Sequence, residues 1–193
     1  MKVTIIDYGA GNVFSVASAF RRLGIEPLLT ADEAEIRFSD RVIFPGVGHA
    51  APAMEQLIQS GLDLLIPQLK QPVMGICLGM QLMCKDTEEG NTRGLNIFED
   101  TSVIKFDDTM KIPHMGWNTI EETKGVLNGL NSDVYFVHSY YAPLSRYTSA
   151  TCTYAVSFSA ALEKDNFLGC QFHPEKSGKA GEEILKRFLA EKR

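Results

Sequence analysis

A cysteine between two glycines marks the stretch of the chain that is best suited to covalent chemistry. In the segment Val73–Gln81, an apolar run leads through Gly75, Cys77 and Gly79 into a helical pattern. A sharp turn from a strand into a helix strains the backbone at its central residue, and flanking glycines remove Cβ clashes there. The start of the helix favours the thiolate form of the thiol. The spacing therefore predicts a nucleophilic cysteine, with the amide of Leu78 placed to stabilise an oxyanion.

A histidine and a glutamate far downstream form the second chemical element. His173 and Glu175 are two residues apart, so in an extended backbone their side chains project to the same face, and Pro174 disfavours helical geometry at His173. Such a carboxylate can hold the imidazole in one tautomer and orient it toward a thiol. An isolated pair of this kind is also common at the start of a helix. Its occurrence together with the Cys77 turn favours a catalytic triad.

The other cysteines and the histidines show no sign of a metal site. Cysteine usually behaves as a small buried hydrophobe, and the remaining three lie in apolar or strand-like contexts: Cys84, Cys152 and Cys170. The histidines are scattered, and none has the helical spacing of a metal ligand with another histidine or a cysteine. The apolar stretch at the N-terminus is too short for a signal peptide or a membrane span. We therefore expect free thiols and a cytoplasmic location.

The elements that must position these residues alternate in the first half of the chain. The pattern predicts strands at Val3–Ile6, Arg41–Phe44 (ended by Pro45-Gly46) and Pro72–Ile76, and helices at Val13–Leu23 (stopped by Gly24), Ala51–Ser60 and Leu78–Cys84. The first strand enters a turn at Asp7–Gly11. Strands separated by helices in this way favour βαβ units on a parallel sheet.

The second half consists of short strand-like runs before one last helix. The predicted strands are Thr101–Phe106, Trp117–Glu121, Val134–Val137, Ser149–Tyr154 and Phe167–Phe172, and an amphipathic helix follows at Lys179–Lys192. With no repeat and no linker-like tract, the 193 residues predict one α/β domain, residues 1–193, with a mixed, mostly parallel sheet flanked by helices. A net charge of −5 gives no electrostatic footprint for nucleic acid or an anionic membrane.

Together these motifs resemble the class I glutamine amidotransferases, which carry G-x-C-x-G-x-Q and, far downstream, H-P-E. The resemblance extends over further segments: Ile6–Asn12, Pro45–Gly48, Pro113–Asn118, Phe136–Tyr140 and His173–Ser177. It implies that Cys77 attacks the side-chain amide of glutamine, that His173 serves as base and then acid, and that Glu175 orients His173. It implies no cofactor.

The resemblance also implies roles around the triad. A backbone amide near Val47 would join that of Leu78 in an oxyanion hole, after the strand that carries it rearranges. Five residues match positions that hold glutamine: Gly46, Gly48, Gln81, Ser139 and Tyr140. Four match positions that face a partner or the route between sites: Asn12, Trp117, Tyr135 and Lys176. Within the family, the chain is similar to subunits that deliver ammonia to a (β/α)₈-barrel cyclase of histidine biosynthesis, as a heterodimer.

Plainer interpretations stay open for many of these residues. From physics alone, Pro45–Gly48 is a strand-ending turn, Trp117 is equally well explained as a core aromatic, and Lys176 is a solvated lysine. Tyr135 and Tyr140 suit any strand, and His114 and His138 are equally well explained as structural. After Gly48 the resemblance implies a small residue and an aromatic, whereas this chain has His49-Ala50-Ala51, and His49 adds a titrating group there. The rival functions are a glutaminase subunit of another synthase, a stand-alone γ-glutamyl hydrolase and a non-catalytic binding subunit.

Overall fold

A computed structural model describes residues 1–9, 11–107 and 110–191. The strands, in chain order, are β1 (Val3–Ile6), β2 (Leu28–Thr30), β3 (Arg41–Gly46), β4 (Val73–Cys77), β5 (Cys84–Thr87), β6 (Thr92–Arg93), β7 (Phe98–Lys105), β8 (His114–Ile120), β9 (Ser132–His138), β10 (Tyr140–Tyr141), β11 (Thr148–Tyr154), β12 (Val156–Lys164) and β13 (Phe167–Cys170). The α-helices are α1 (Val13–Arg22), α2 (Glu33–Arg37), α3 (Ala50–Ser60), α4 (Leu62–Leu65), α5 (Leu78–Met83) and α6 (Gly178–Ala190). Short 3₁₀ helices occupy Ile66–Gln68, Glu89–Asn91, Gly125–Leu127 and Pro174–Lys176.

The strands form one large sheet and two smaller sheets. The large sheet has seven strands in the order β11-β12-β13-β4-β3-β1-β2. Its pairs from β13 to β2 are parallel, whereas β11, β12 and β13 pair in antiparallel fashion. A four-stranded sheet has the order β10-β7-β5-β6, and β8 and β9 form a separate antiparallel ribbon. The predicted mixed, mostly parallel sheet is confirmed.

Apolar residues cover both faces of the large sheet. Along β3, Ile43 belongs to one buried cluster, while its neighbours Val42 and Phe44 belong to the other. The first cluster includes residues of α1 and α6, and the second includes residues of α3 and α5. A strand buried on both faces reads as a continuous apolar run, which is the pattern of the central strands here. In the part of the chain that is described, no helix is long and apolar enough to cross a membrane.

The predicted elements differ from the structure in a few places. The strand at Arg41 does not end before Pro45-Gly46, because Pro45 pairs with Ile76 and Gly46 pairs with Cys77 on β4. Within the described residues, the pairing of β3 with β1 extends only to Ile43. Pro45 has no N–H, but it lies beyond this pairing, so no hydrogen bond to β1 is lost.

Other strands and helix ends were missed or placed differently. The helix after Cys77 ends at Met83, and Cys84 begins a strand instead. Two strands of the large sheet, β2 and β12, were not predicted. Ala10 of the first turn and Lys192 of the last helix lie outside the described residues.

Candidate active site

Three parallel strands bring the predicted catalytic residues to one edge of the sheet. β3, β4 and β13 are neighbours, and their carboxyl ends lie side by side, with Gly46 opposite Cys77 and Cys170 opposite Ile76. The residues that follow each strand therefore meet at this edge, which is where open α/β sheets place their sites. Cys77 arrives from β4, and His173 arrives three residues after the end of β13.

The turn at Cys77 has the strained backbone that its flanking glycines predicted. Cys77 has φ 54° and ψ −110°, a left-handed conformation that is uncommon and costly outside glycine. A Cβ on Gly79 would lie 2.0 Å from the Phe44 carbonyl oxygen, and a Cβ on Gly75 would lie 2.9 Å from the Met80 nitrogen. No larger residue fits at either position. The packing of α5 against β3 thus holds the thiol at the start of the helix.

The predicted pair of His173 and Glu175 is formed and buried. His173 Nδ1 and Glu175 Oε1 are 2.7 Å apart, and both side chains are at most 2% exposed. The expected extended backbone holds only for His173, because Pro174–Lys176 form a 3₁₀ turn, and it is this turn that brings Glu175 back to the ring. Proline at the first position of the turn costs no hydrogen bond.

The charge state of His173 depends on its neighbours. Burial by itself lowers the pKa of the imidazole, but Cys77 and Glu175 together outweigh it and raise the pKa to about 9. His173 Nε2 is buried and has no hydrogen-bond partner among the described residues. With Nδ1 occupied by Glu175, this nitrogen is the one left to exchange a proton with Cys77 or a substrate.

A cavity of about 330 Å³ opens at the thiol. Its lining comprises Val47, Gly48, Cys77, Leu78, Gln81, Glu89, Pro113, Val137, His138, Ser139, Tyr140, His173 and Lys176. A wider depression of about 520 Å³, beside Arg22 and Lys186, contains none of the predicted catalytic residues. The smaller cavity is therefore the candidate active site, and its size suits a small polar molecule.

Most of the residues predicted to hold substrate lie at this cavity, although one is set back. Gln81 Nε2 donates to the Tyr140 carbonyl oxygen and to Gln171 Oε1, each at 2.9 Å. Gly46 is not among the described residues that line the cavity, and a Cβ on it would lie 2.6 Å from the Gly79 nitrogen. Gly46 therefore brings β3 close to α5, behind the cavity wall.

Three polar residues at the site were not assigned to it from the sequence. Glu89 lines the cavity from the 3₁₀ turn after β5, and its Oε2 accepts a hydrogen bond from the Ala50 N–H at 2.8 Å. Gln171 Nε2 lies 3.8 Å from Cys77 Sγ. His138 also lines the cavity. Only Gln171 carried a usable signal, since it lies two residues before His173 at the end of a strand.

His49 has a local structural contact. It is exposed and caps α3, with the Ala51 N–H pointing to its Nδ1 at 3.3 Å. Among the described residues that line the cavity, His49 is not included. Its ring packs close to Gly90, where an added Cβ would lie 2.8 Å from the ring. His49 and Glu89 thus both cap the start of the helix that follows the Val47-Gly48 segment.

Three of the four residues predicted to face a partner form one cluster. Trp117 on β8 is 58% exposed, which excludes the core interpretation, and its ring meets that of Tyr135 edge to face at 6.2 Å. Lys176 Nζ lies 5.9 Å from the centre of the Tyr135 ring, which is within the range of a cation–π interaction. Asn12 caps α1 by accepting a hydrogen bond from the Ser15 N–H.

The remaining cysteines are buried, as expected. Burial raises the pKa of the Cys152 thiol to about 12 and raises those of Cys84 and Cys170 further above the usual range. Thiols that stay protonated in this way are poor nucleophiles. Among the described residues, no group of three His, Cys, Asp or Glu side chains is arranged to hold a metal ion.

The chain is similar to known proteins over nearly its whole length. The family "Glutamine amidotransferase class-I" matches residues 4–192. The imidazole glycerol phosphate synthase subunit HisH of Bacteroides fragilis (strain YCH46) is 55% identical over 98% of this chain and 99% of its own length. The subunit of that name from Escherichia coli (strain K12) is 44% identical over the same shares. A crystal structure titled as a glutamine amidotransferase superposes with a TM-score of 0.78 over 98% of each chain at 16% identity, a likeness that concerns the fold.

Proposed function

The chain belongs to the class I glutamine amidotransferase family, and we propose that it is the glutaminase subunit of an imidazole glycerol phosphate synthase. It hydrolyses L-glutamine to L-glutamate and ammonia. The observation that carries the proposal is the strained Cys77 at the head of α5, which shares one cavity with His173, the buried hydrogen-bond partner of Glu175. Relatives that share 44% and 55% of their residues with this chain are named as the HisH subunit of that synthase.

The chemistry follows from the proton positions at the triad. The proton given up by Cys77 is held on His173 Nε2, as the raised pKa of this ring favours, and Cys77 Sγ forms a bond to the side-chain carbonyl carbon of glutamine. The C–N bond then breaks, and the departing nitrogen takes the proton from His173, so that ammonia leaves a glutamyl thioester. Water attacks the thioester while His173 accepts its proton, and glutamate is released as the thiol reforms. Glu175 keeps Nδ1 protonated and the ring in place.

The surrounding residues supply charge stabilisation and substrate contacts. Backbone amides of Val47 and Leu78 would stabilise the oxyanion of each tetrahedral intermediate. Gly46, Gly48, Gln81, Ser139 and Tyr140 are assigned to the binding of glutamine.

Glu89 adds a negative charge to the same cavity. A carboxylate there complements the α-ammonium group of glutamine, so we assign Glu89 to that contact.

We assign the ammonia to a (β/α)₈-barrel cyclase that forms a heterodimer with this chain in the cytoplasm. The cyclase would use the ammonia on a phosphoribulosyl aminoimidazole carboxamide nucleotide. It would produce imidazole glycerol phosphate, a histidine precursor, and an aminoimidazole carboxamide ribotide. Direct transfer is chemically sensible because free ammonia is mostly protonated at neutral pH and then is no nucleophile. The surface of Trp117, Tyr135 and Lys176, together with Asn12, is assigned to the partner.

The test is glutamate release measured under three conditions: the chain alone, with the cyclase, and with the cyclase and its nucleotide ligand. We expect little release alone and strong stimulation in the third condition. High turnover by the chain alone would identify a stand-alone hydrolase instead, and stimulation by a different synthase would identify another glutaminase subunit. Cys77→Ala should abolish turnover and still bind the cyclase, whereas retained turnover would refute the assignment of the nucleophile.

A further inference from the structure

Two buried histidines connect the ribbon of β8 and β9 to the glutamine pocket. His114 and His138 are direct partners across the ribbon, and His114 Nδ1 lies 3.0 Å from His138 Nε2. His138 also lines the cavity, and its Nδ1 lies 2.8 Å from the carbonyl oxygen of Tyr140. The catalytic steps above use neither ring.

These hydrogen bonds form a series from His114 through His138 to Tyr140, and the direction of each one follows from the Tyr140 end. A carbonyl oxygen only accepts, so His138 Nδ1 must carry the proton that it donates to Tyr140. A neutral ring has one N–H, and His138 Nε2 is therefore an acceptor. His114 Nδ1 must then be the donor of the 3.0 Å bond, which leaves His114 Nε2 as an acceptor as well.

The opposite end gives the same direction independently. Asn118 Nδ2 lies 3.4 Å from His114 Nε2 and donates to the Thr153 carbonyl oxygen at 3.0 Å. Asn118 Oδ1 accepts from the Thr119 N–H at 2.9 Å. These two backbone contacts fix which atom of the Asn118 amide is the nitrogen and which is the oxygen, so the amide points an N–H toward the His114 ring. The contacts at Tyr140 and at Asn118, the two ends of the hydrogen-bond series, therefore agree on the Nδ1-protonated tautomer of the histidines.

The surroundings keep both rings uncharged. The ring of His114 stacks between Tyr154 at 4.1 Å and Phe136 at 4.9 Å, and the ring of Phe106 lies 5.3 Å from that of His138. Burial lowers the pKa of His114 to about 4, and burial together with nearby His114 and His173 lowers that of His138 to about 3. At neutral pH the pair therefore has a single proton arrangement.

The hydrogen-bond series ends at the Tyr140 carbonyl, which also accepts a hydrogen bond from a residue of the candidate active site. The Tyr140 oxygen accepts from His138 on one side and from Gln81 Nε2 on the other, which fills both of its lone pairs. The same Gln81 nitrogen donates to Gln171, whose own amide nitrogen faces Cys77 Sγ. The orientation of this one peptide group therefore affects both the pocket wall and the position of Gln81.

We propose that the two histidines are positioning residues for the glutamine pocket: neutral and in one tautomer, they hold the Tyr140 carbonyl against Gln81. The inference rests on the proposed glutaminase function, because the pocket it concerns is the glutamine pocket. Each histidine acts through the peptide at Tyr140 and makes no contact with the reacting atoms in this scheme.

The proton arrangement can be measured directly in the unaltered chain. Nitrogen NMR of the chain with ¹⁵N-labelled histidine, with ring signals assigned by His114→Phe and His138→Phe, identifies which ring nitrogen is protonated. We expect Nδ1–H and a bare Nε2 at both residues between pH 6 and pH 8. Protonation of His138 at Nε2, or a charged ring in this range, would overturn the proposal.

Two substitutions of His138 separate its two hydrogen bonds. The amide of asparagine reaches the place of Nδ1 and can still donate to Tyr140, whereas that of glutamine reaches the place of Nε2 and can only replace the bond to His114. In the complex with cyclase and nucleotide, we expect His138→Gln to raise KM for glutamine about fivefold to tenfold with kcat little changed. His138→Asn should restore KM to within about twofold of the unaltered chain.

The outcomes separate this inference from the function on which it rests. A loss of folded protein would lower kcat in both variants and leave KM unchanged, and equal KM values in the two variants would refute the positioning role. If the unaltered complex released no glutamate, the proposed function would fail instead. The tautomer measurement would still test the hydrogen-bond chain in that case.

Discussion

Raising the pH should remove stability that the folded chain owes to His173. The pKa of this imidazole rises from 6.5 to about 9 in the folded state, because Cys77 and Glu175 outweigh the opposing effect of burial. Between these two values the folded state holds a proton that the unfolded state has lost. Stability therefore falls as the pH increases through this range, and the contribution is fully present only below about pH 6.5.

The size of the effect follows from the same two pKa values. A difference of one pKa unit corresponds to about 1.4 kcal/mol, so the interval from 6.5 to about 9 gives at most about 3–4 kcal/mol of unfolding free energy. Because His173 is only 2% exposed, screening by solvent reduces this figure little. Cys77→Ala removes one of the two neighbours that raise the pKa and should remove a large part of the pH dependence.

The assay is urea unfolding of three chains between about pH 6 and pH 10. His173→Gln is the reference, since it lacks the titrating ring and reports the pH dependence of all other groups. The stability of the unaltered chain relative to this reference should decline by about 2–3 kcal/mol over the range. A flat or rising difference would refute the ion pair between His173 and its neighbours, and identical behaviour of Cys77→Ala would exclude the thiol as its cause.

Three further substitutions test other parts of the site. Glu89→Gln keeps an acceptor for the helix cap but removes the charge, so KM for glutamine should rise about tenfold or more, and an unchanged KM would refute the contact between Glu89 and the α-ammonium group. Gly79→Ala places a Cβ 2.0 Å from the Phe44 carbonyl and should cost more than about 3 kcal/mol in chemical unfolding. The matched Gly61→Ala, which has open space but φ 73°, should cost only about 1–2 kcal/mol. Trp117→Ala should change unfolding by less than about 0.5 kcal/mol and weaken cyclase binding at least about tenfold, and unchanged affinity would exclude Trp117 from the interface.

The nucleophile turn could be predicted because its causes are local. Gly79 must be glycine for the close approach of α5 to β3, and Gly75 must be glycine for the close return of α5 over β4; the strain at Cys77 follows from the same turn. The position of His173 is less local. Its pairing with Glu175 depends on a 3₁₀ turn that no short sequence pattern predicts, so the contact between the two side chains could be predicted but the backbone that forms it could not.

Other parts of the site depend on contacts between distant segments. Glu88-Glu89-Gly90 reads as an ordinary polar turn, and only the packing of this turn near Ala50 brings Glu89 to the cavity. The long strand β12 begins exposed at Val156 and is buried on both faces along its middle. Its sequence therefore lacks the apolar–polar alternation that would predict a strand. His138 was assigned only as structural or functional at even weight. Its bond to Tyr140 depends on a strand end that leads directly into β10.

The ribbon connects an exposed aromatic residue to the backbone of buried His173. Trp117 lies opposite Tyr135, and the Tyr135 carbonyl accepts a hydrogen bond from the His173 N–H at 2.9 Å. The Tyr135 N–H donates to Ser177 Oγ, which in turn donates to the His173 carbonyl at 2.6 Å. Tyr135 is thus bonded directly to the N–H of His173 and, through Ser177, to the carbonyl of His173. If a partner binds at Trp117 as proposed and displaces the Tyr135 backbone, it must break these bonds or move the backbone of His173, which would couple the surface to the proposed triad.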